Sequence, residues 1–407
     1  MPSERPRRIA VTGLGALSSI GIGADDFSAA IRVGKNGISQ ISSFDTTGFP
    51  YTAAGELKDF RADRILEKLV PGEWGRSSLL AASAARLAVE DAAIDPELLS
   101  RARTGSIMGT TGGEAVVAQQ LCEQWVAGGL AELDPLLVPQ APASQIANAV
   151  SQELALSGDT LTVPTACSAS NCALGYAYDL MQAGEADFML AGGADAVNRL
   201  THAGFYRLGA LAEEVCRPFA ANRPGILTGE GGAVLLLEPL EHAKERGARI
   251  YAEMLGYGMN CDARHMVNPD AAGIAECIRI AHRSAGVTPD QIDYICAHGT
   301  GTQTNDATEI RATRAVFGER LPPISSIKSM IGHTMGAASG FGAVACCKAL
   351  HEGFLPPTAN VDEVDEALGP GLDCVPGQAR PAQLNIVQNN GFAFGGNNVV
   401  TILGRVT

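Results

Sequence analysis

The sequence predicts a layered α/β architecture with sheets covered on both faces. Three observations carry that expectation. Short β-branched runs alternate with longer Ala-rich helical stretches along the chain, the pattern restarts near residue 250, and each stretch so delimited closes on an apolar run, Gly231 to Leu237 and Asn397 to Leu403. Two similarly built halves follow, 1–249 and 250–407.

Taken in order, Ile9 to Val11 reads as a buried strand and Ser77 to Ile94 as a helix rich in small residues suited to close packing. Ala186 to Ala191 and Ala233 to Leu237 read as further core strands. The charged segment from Glu238 to Arg249 reads as a surface connection. Beyond it come a strand from Ile250 to Gly256, a helix from Ala271 to Gly286, and the short apolar run Tyr294-Ile-Cys-Ala. Neither low-complexity sequence nor an evident internal repeat separates the halves, so one compact unit is expected.

Composition narrows the function. Apolar residues make up 46% of 407 and charged ones 18%, with a formal net charge of −14, which disfavours generic nucleic-acid binding. No apolar run reaches the roughly 20 residues that span a bilayer. The ten cysteines are irregularly spaced without a CxxC pair, and the first residues carry no signal-type apolar stretch, so a reducing cytoplasm is expected. Thr12-Gly-Leu-Gly-Ala-Leu-Ser lacks the third glycine of a dinucleotide fingerprint, and no nicotinamide cofactor is expected.

Chemistry concentrates in three Gly/Ser/Thr-rich segments: Pro164-Thr-Ala-Cys-Ser-Ala-Ser, His298-Gly-Thr-Gly-Thr and Lys328-Ser-Met-Ile-Gly-His. Cys167 precedes a helix-forming stretch from Asn171, and unpaired N–H groups at a helix start favour a thiolate. Simple packing is the alternative for any buried cysteine, Cys172 included. Glycines around His298 and His333 allow close backbone approach and leave imidazole N–H groups to donate to a ligand oxygen, although either could be a hydrogen-bonded core histidine. One cysteine and two histidines at these separations lack the usual zinc-ligand spacing, so no metal is expected. The turn Gly391-Phe-Ala-Phe-Gly-Gly-Asn-Asn could aim N–H groups at an oxyanion, with Phe394 as an apolar lid.

Together with Tyr176-Ala-Tyr-Asp-Leu, Ala191-Gly-Gly-Ala-Asp, Cys216-Arg-Pro-Phe and Thr228-Gly-Glu-Gly-Gly, these segments resemble the β-ketoacyl-acyl carrier protein synthases of the thiolase superfamily. Within them the chain is similar to the synthase II type and to polyketide and polyene ketosynthases. The resemblance implies a five-layer α/β/α/β/α thiolase-like fold, and an acyltransferase that needs no cofactor of its own because substrates arrive on the phosphopantetheine arm of an acyl carrier protein. It implies an acyl chain on Cys167, the extender's carbonyl held by His298 and His333, Lys328 and Glu309 as a supporting pair, Thr300 and Thr302 on the pantetheine arm, and Phe394 as a gate. Phe205 and Gly112 would line the acyl tunnel, the absence of a bulky residue at Gly112 opening it to a longer, bulkier or more polar chain.

The favoured activity is decarboxylative Claisen condensation with a malonyl carrier protein, in fatty-acid or, preferentially, polyketide-type metabolism. A family member that acylates Cys167 and then cyclises or releases its product is the alternative, and a non-catalytic chain-length-factor-like subunit disagrees with the retained Cys167, His298 and His333. A homodimer, or a heterodimer with a chain-length-factor-like subunit, is implied. Because both this chain and the carrier are acidic, docking needs a local basic cluster, for which Arg61, Arg64, Lys68, Arg76 and Arg207 are candidates.

Overall fold

The computed structural model describes residues 7–406; the amino-terminal residues read above for a targeting signal lie outside them. The first half contributes strands β1 (Ile9–Ser18), β2 (Thr104–Gly109), β3 (Thr160–Val163), β4 (Phe188–Asp195) and β5 (Gly231–Pro239). The second contributes β6 (Ala252–Cys261), β7 (Tyr294–Cys296), β8 (Ile324–Ser325), β9 (Ile386–Phe392) and β10 (Asn397–Gly404).

These strands run β3-β2-β4-β5-β1 in one half and β8-β7-β9-β10-β6 in the other, the same order twice. In each, the first three pair in parallel and the last two antiparallel. A short antiparallel contact, Ile9 opposite Met254 to Val11 opposite Ala252, joins β1 to β6. The restart near residue 250 is therefore a repeat of topology that has left no readable repeat of sequence.

The main helices are α1 (Arg76–Asp91), α2 (Ala115–Gly128), α3 (Gln145–Leu154), α4 (Ala169–Gln182), α5 (Arg199–Arg207), α6 (Ala271–Ala285), α7 (Gln303–Phe317) and α8 (Ala338–Glu352). Helices α1 and α3 cover the outer face of the first sheet, α6 and α7 that of the second, and α4 and α8 lie between the sheets. Five layers result. The middle one is small and apolar where it lies between the sheets: every residue of α8 from Ala338 to Leu350 is buried, and so is α4 from Ala169 to Gly175, while Tyr176 and Asp179 farther along α4 are exposed.

Gly13 and Gly15, whose spacing lacks a dinucleotide fingerprint, serve packing instead. A Cβ on either would lie 2.0 Å from Ala88 O and 1.8 Å from Ala84 O respectively, so β1 can approach α1 only without side chains there. The Glu238–Arg249 segment departs from the expected solvated connection. It contains a short helix, Leu240–Glu245, and Glu238 is fully buried, accepting from Thr12 Oγ1 and pairing with Arg246 and His242. Both closing apolar runs are strands, β5 and β10, and only the second forms a hairpin with the strand before it in sequence, β9.

Candidate active site

The two central helices are entered by the same device. Strand β3 leads to Ala166, with φ 53°, and a single 3-10 turn, Ala166–Ser168, before α4; Met335, also at φ 53°, opens the turn Met335–Ala337 before α8. A non-glycine residue in the left-handed region costs about 1–3 kcal/mol, so both turns are held by their surroundings. In the first half the second turn residue is Cys167, and its counterpart in the second half is Gly336.

His298 follows β7, and His333 lies in the loop between β8 and α8. Loop 298–299 is fastened from both sides of one peptide: Glu309, fully buried on α7, accepts from the N–H groups of His298 and Gly299 at 2.8 Å, while Lys328 Nζ donates to His298 O. Asn390 Nδ2 donates to the same carboxylate at 2.9 Å. Lys328 and Glu309 thus act on a shared residue, and among the described residues they form no direct ion pair. His333 is fixed as an extra strand beside Thr228, its N–H donating to Leu227 O at 2.6 Å and its carbonyl accepting from Gly229 N at 2.8 Å.

The loops converge. Cys167 Sγ and one nitrogen of each of His298 and His333 lie within 4.8 Å of one another, and all three residues are buried. The imidazoles stand edge to face, 5.5 Å between centroids. Burial, and then the Lys328 charge, hold both histidines well below the ordinary imidazole range, so they are neutral near pH 7. Met335 N–H donates to His333 Nδ1 at 3.0 Å, which leaves the proton of the neutral ring on Nε2. A ring in that state offers a donor and no lone pair, so His333 is unsuited to hold a metal ion through Nε2.

Burial pushes the Cys167 thiol up to about 11, against the opposing pull of Lys328 and of the Phe394 N–H at the sulfur. The helix start that favours a thiolate is present, yet the resting group is a thiol because desolvation outweighs it. A proton must therefore leave Cys167 as it attacks a substrate.

A cavity of about 290 Å³ opens on the trio. Phe205 and Phe394 form one wall with ring centroids 5.6 Å apart, and Thr300 and Thr302 line the other, their hydroxyls 3.0 Å apart. Phe394 is followed by Gly395 and Gly396, at φ 82° and 79°, a conformation that glycine adopts without strain. Gly112 is absent from this lining. It is exposed, and its N–H donates to Asp195 Oδ1 at 2.9 Å, so its lack of a side chain does not widen the cavity that this chain encloses.

The basic candidates separate. Arg207, at the end of α5, is exposed and adjoins Leu208 of the cavity rim. Arg61, Arg64 and Lys68 are exposed on the turn before α1, outside the cavity, and Arg61 faces Asp63. Arg76 is unsuited to docking, because its guanidinium grips fully buried Glu230 at 2.7 and 2.9 Å and Leu57 O at 2.8 Å. Sequence reasoning missed three buried carboxylates around the site: Asp195, Glu114 and Asp306, the last accepting from the N–H groups of Phe219, Thr300 and Gly301. An acidic residue at the end of the otherwise apolar run Phe188–Asp195 was the available signal for the first.

Comparison with known proteins agrees with this geometry. Residues 6–243 match the beta-ketoacyl synthase N-terminal domain and 251–362 the beta-ketoacyl synthase C-terminal domain. The 3-oxoacyl-[acyl-carrier-protein] synthase 2 of Coxiella burnetii is 35% identical over 98% of this chain and 99% of its own. Among solved structures, the ishigamide ketosynthase/chain length factor is 45% identical with a TM-score of 0.97, covering 99% of this chain and 100% of that one. A type II polyketide ketosynthase in complex with its acyl-carrier protein is 31% identical with a TM-score of 0.90, covering 99% and 100%.

Proposed function

The chain belongs to the β-ketoacyl synthase family, and on that premise we propose that it lengthens a carrier-bound acyl chain by decarboxylative condensation, in polyketide-type metabolism. The observation that carries the reading is the buried trio of Cys167, His298 and His333 at one end of a cavity.

In the first stage Cys167 loses its proton and attacks the acyl thioester; a C–S bond forms, and the carrier thiol departs with a proton. In the second, a malonyl-type thioester lies with its carbonyl oxygen against the imidazole N–H groups. Its C–C bond to the carboxylate breaks, carbon dioxide leaves, and the electron pair becomes an enolate whose charge these donors stabilise. Neutral rings suit this task, since neither needs to surrender a proton. The enolate carbon attacks the acyl carbonyl, a C–C bond forms, and the Cys167 thiolate leaves. The N–H groups of Cys167 and Phe394, each of which favours the thiolate over the thiol, are the donors for the oxyanion of each addition.

Likeness to a ketosynthase/chain length factor and to a type II polyketide ketosynthase supports the polyketide side. A second ketosynthase-fold subunit fits the same reading. Strand β3 is paired on one edge only, Leu161 on it is exposed, and α2 buries only Val117 while Trp125, Val126, Leu130 and Leu136 are exposed on it and after it. Whether that partner is a second copy or a chain-length-factor-like chain is decided by light scattering of the protein with and without it. Among the described residues no helix is long and apolar enough to cross a membrane, and with ten free cysteines the reading places the enzyme in a reducing cytoplasm beside its carrier.

The test is product analysis. With acyl and malonyl carrier proteins, a chain two carbons longer and an acyl adduct on Cys167 by intact mass are expected, both lost in C167A. A cyclised or released product without extension refutes the reading. Faster acylation from short saturated donors than from unsaturated or ketide donors refutes its polyketide part.

A further inference from the structure

Asp195, at the end of β4, is 2% exposed, and its carboxylate collects donors from both halves of the molecule. Oδ1 accepts from Thr110 Oγ1 at 2.8 Å and from Gly112 N at 2.9 Å; Oδ2 accepts from Thr111 N at 2.7 Å and, across the interface of the halves, from Gly336 N at 2.6 Å. It forms no ion pair among the described residues. Two consecutive loop N–H groups on one buried carboxylate is also how Glu309 holds His298 and Gly299, although the two anchors belong to different elements, the end of β4 and helix α7.

The Asp195 anchor reaches further, through Gly336. That residue follows Met335, whose N–H donates to His333 Nδ1. Met335 holds φ 53° only while its turn is pinned, and a Cβ on Gly336 would lie 2.4 Å from Thr110 Cα, so the 335–336 peptide fits only where Asp195 and the 110–112 loop hold it. We propose that Asp195 is a positioning residue for His333: by fixing the Met335–Gly336 turn it keeps the Met335 N–H on Nδ1 and the ring proton on Nε2, facing the cavity. The inference rests on His333 acting as a donor to the extender thioester.

The charged and titratable neighbours of Asp195 are Glu114 and Cys167. Its negative charge opposes ionisation of the thiol, so removing it favours the thiolate. This separates positioning from general damage: D195N is expected to alkylate at Cys167 no more slowly than wild type while losing condensation by about tenfold or more, the scale of one hydrogen bond to a charged group.

Nitrogen-15 NMR of the seven histidines, with His333 assigned by difference from H333Q, reads the ring directly. Wild type is expected to show one neutral tautomer protonated at Nε2, and D195N a mixture. T110V, which keeps the charge but removes the Thr110 hydroxyl, is expected to show a smaller admixture, and T110S to restore the single tautomer. A His333 tautomer unchanged in both D195N and T110V overturns the proposal, as does parallel loss of alkylation and condensation in a folded D195N. Should the wild-type enzyme make no extended product, the functional reading falls while the tautomer comparison still decides the role of Asp195.

Discussion

Replacing Lys328 with methionine tests the electrostatics of the site most directly. Lys328 is 5% exposed, and its ammonium favours the Cys167 thiolate while disfavouring both imidazolium ions. With the thiol near 11, only about 3 in 10,000 Cys167 side chains are ionised at pH 7.5. A unit charge a few ångströms away, at an effective dielectric constant near 20, is worth about 2–4 kcal/mol. K328M therefore lowers the thiolate population by roughly 30-fold or more. A more basic thiolate is also a better nucleophile, which returns about half of that on a logarithmic scale, so the net fall in alkylation rate is roughly fivefold or more. Iodoacetamide labelling between pH 7 and 10, read by peptide mass, gives the rate at Cys167 against the exposed Cys122 and Cys261 in the same sample. Melting temperature and near-UV circular dichroism establish that the variant is folded. A Cys167 to Cys261 ratio within twofold of wild type would refute the charge argument. The same variant should move the acid limb of condensation to higher pH, since loss of the positive charge makes both histidines easier to protonate.

Two further outcomes concern stability. Burial pushes Glu114 up to about 7 from the ordinary 4.5, so between those values the folded state holds a proton that the unfolded chain releases; its contribution is present below about pH 4.5 and lost as pH rises to 7. The difference in unfolding free energy between E114Q and wild type, from urea titrations at pH 5 and 8, should shift in favour of E114Q by up to about 3 kcal/mol at pH 8. R76A leaves Glu230 buried without its cation and should cost about 3 kcal/mol in the same assay, with KM for the acyl carrier protein unchanged in the folded fraction. A charge reversal at Arg207 should raise that KM at low salt, and an unchanged value removes the cavity rim as a docking surface.

The trio was legible because each member sits in a short segment whose glycines and hydroxyls reveal a tight turn, and because strand, turn and helix succeed one another locally. Asp195 and Glu114 were not, since the groups that need them belong to segments far away in sequence: Asp195 serves Thr110, Thr111, Gly112 and Gly336, and Glu114 serves Ser77 and Ser78. Gly112 and Arg76 mark the opposite failing. Residue type alone does not say whether a small side chain opens a cavity or spares a carboxylate, or whether an arginine faces solvent or a buried acid. The resting state of Cys167 was hidden for a similar reason, because local sequence displays the helix start but not the depth of burial that outweighs it.

The layer between the sheets carries a consequence for how the chain is made. Asn171 on α4 donates to main-chain oxygens of Asn389 and Val399, and Asn389 answers by donating to Asn171 Oδ1 and Ser339 O. The Asn171 side chain is buried, and its partners all belong to the other half. A nascent chain that has emerged only as far as residue 250 therefore lacks the groups that cover this flank, the kind of transiently exposed surface that is prone to association. Neither half carries the trio by itself, because Cys167 comes from the first and both histidines from the second.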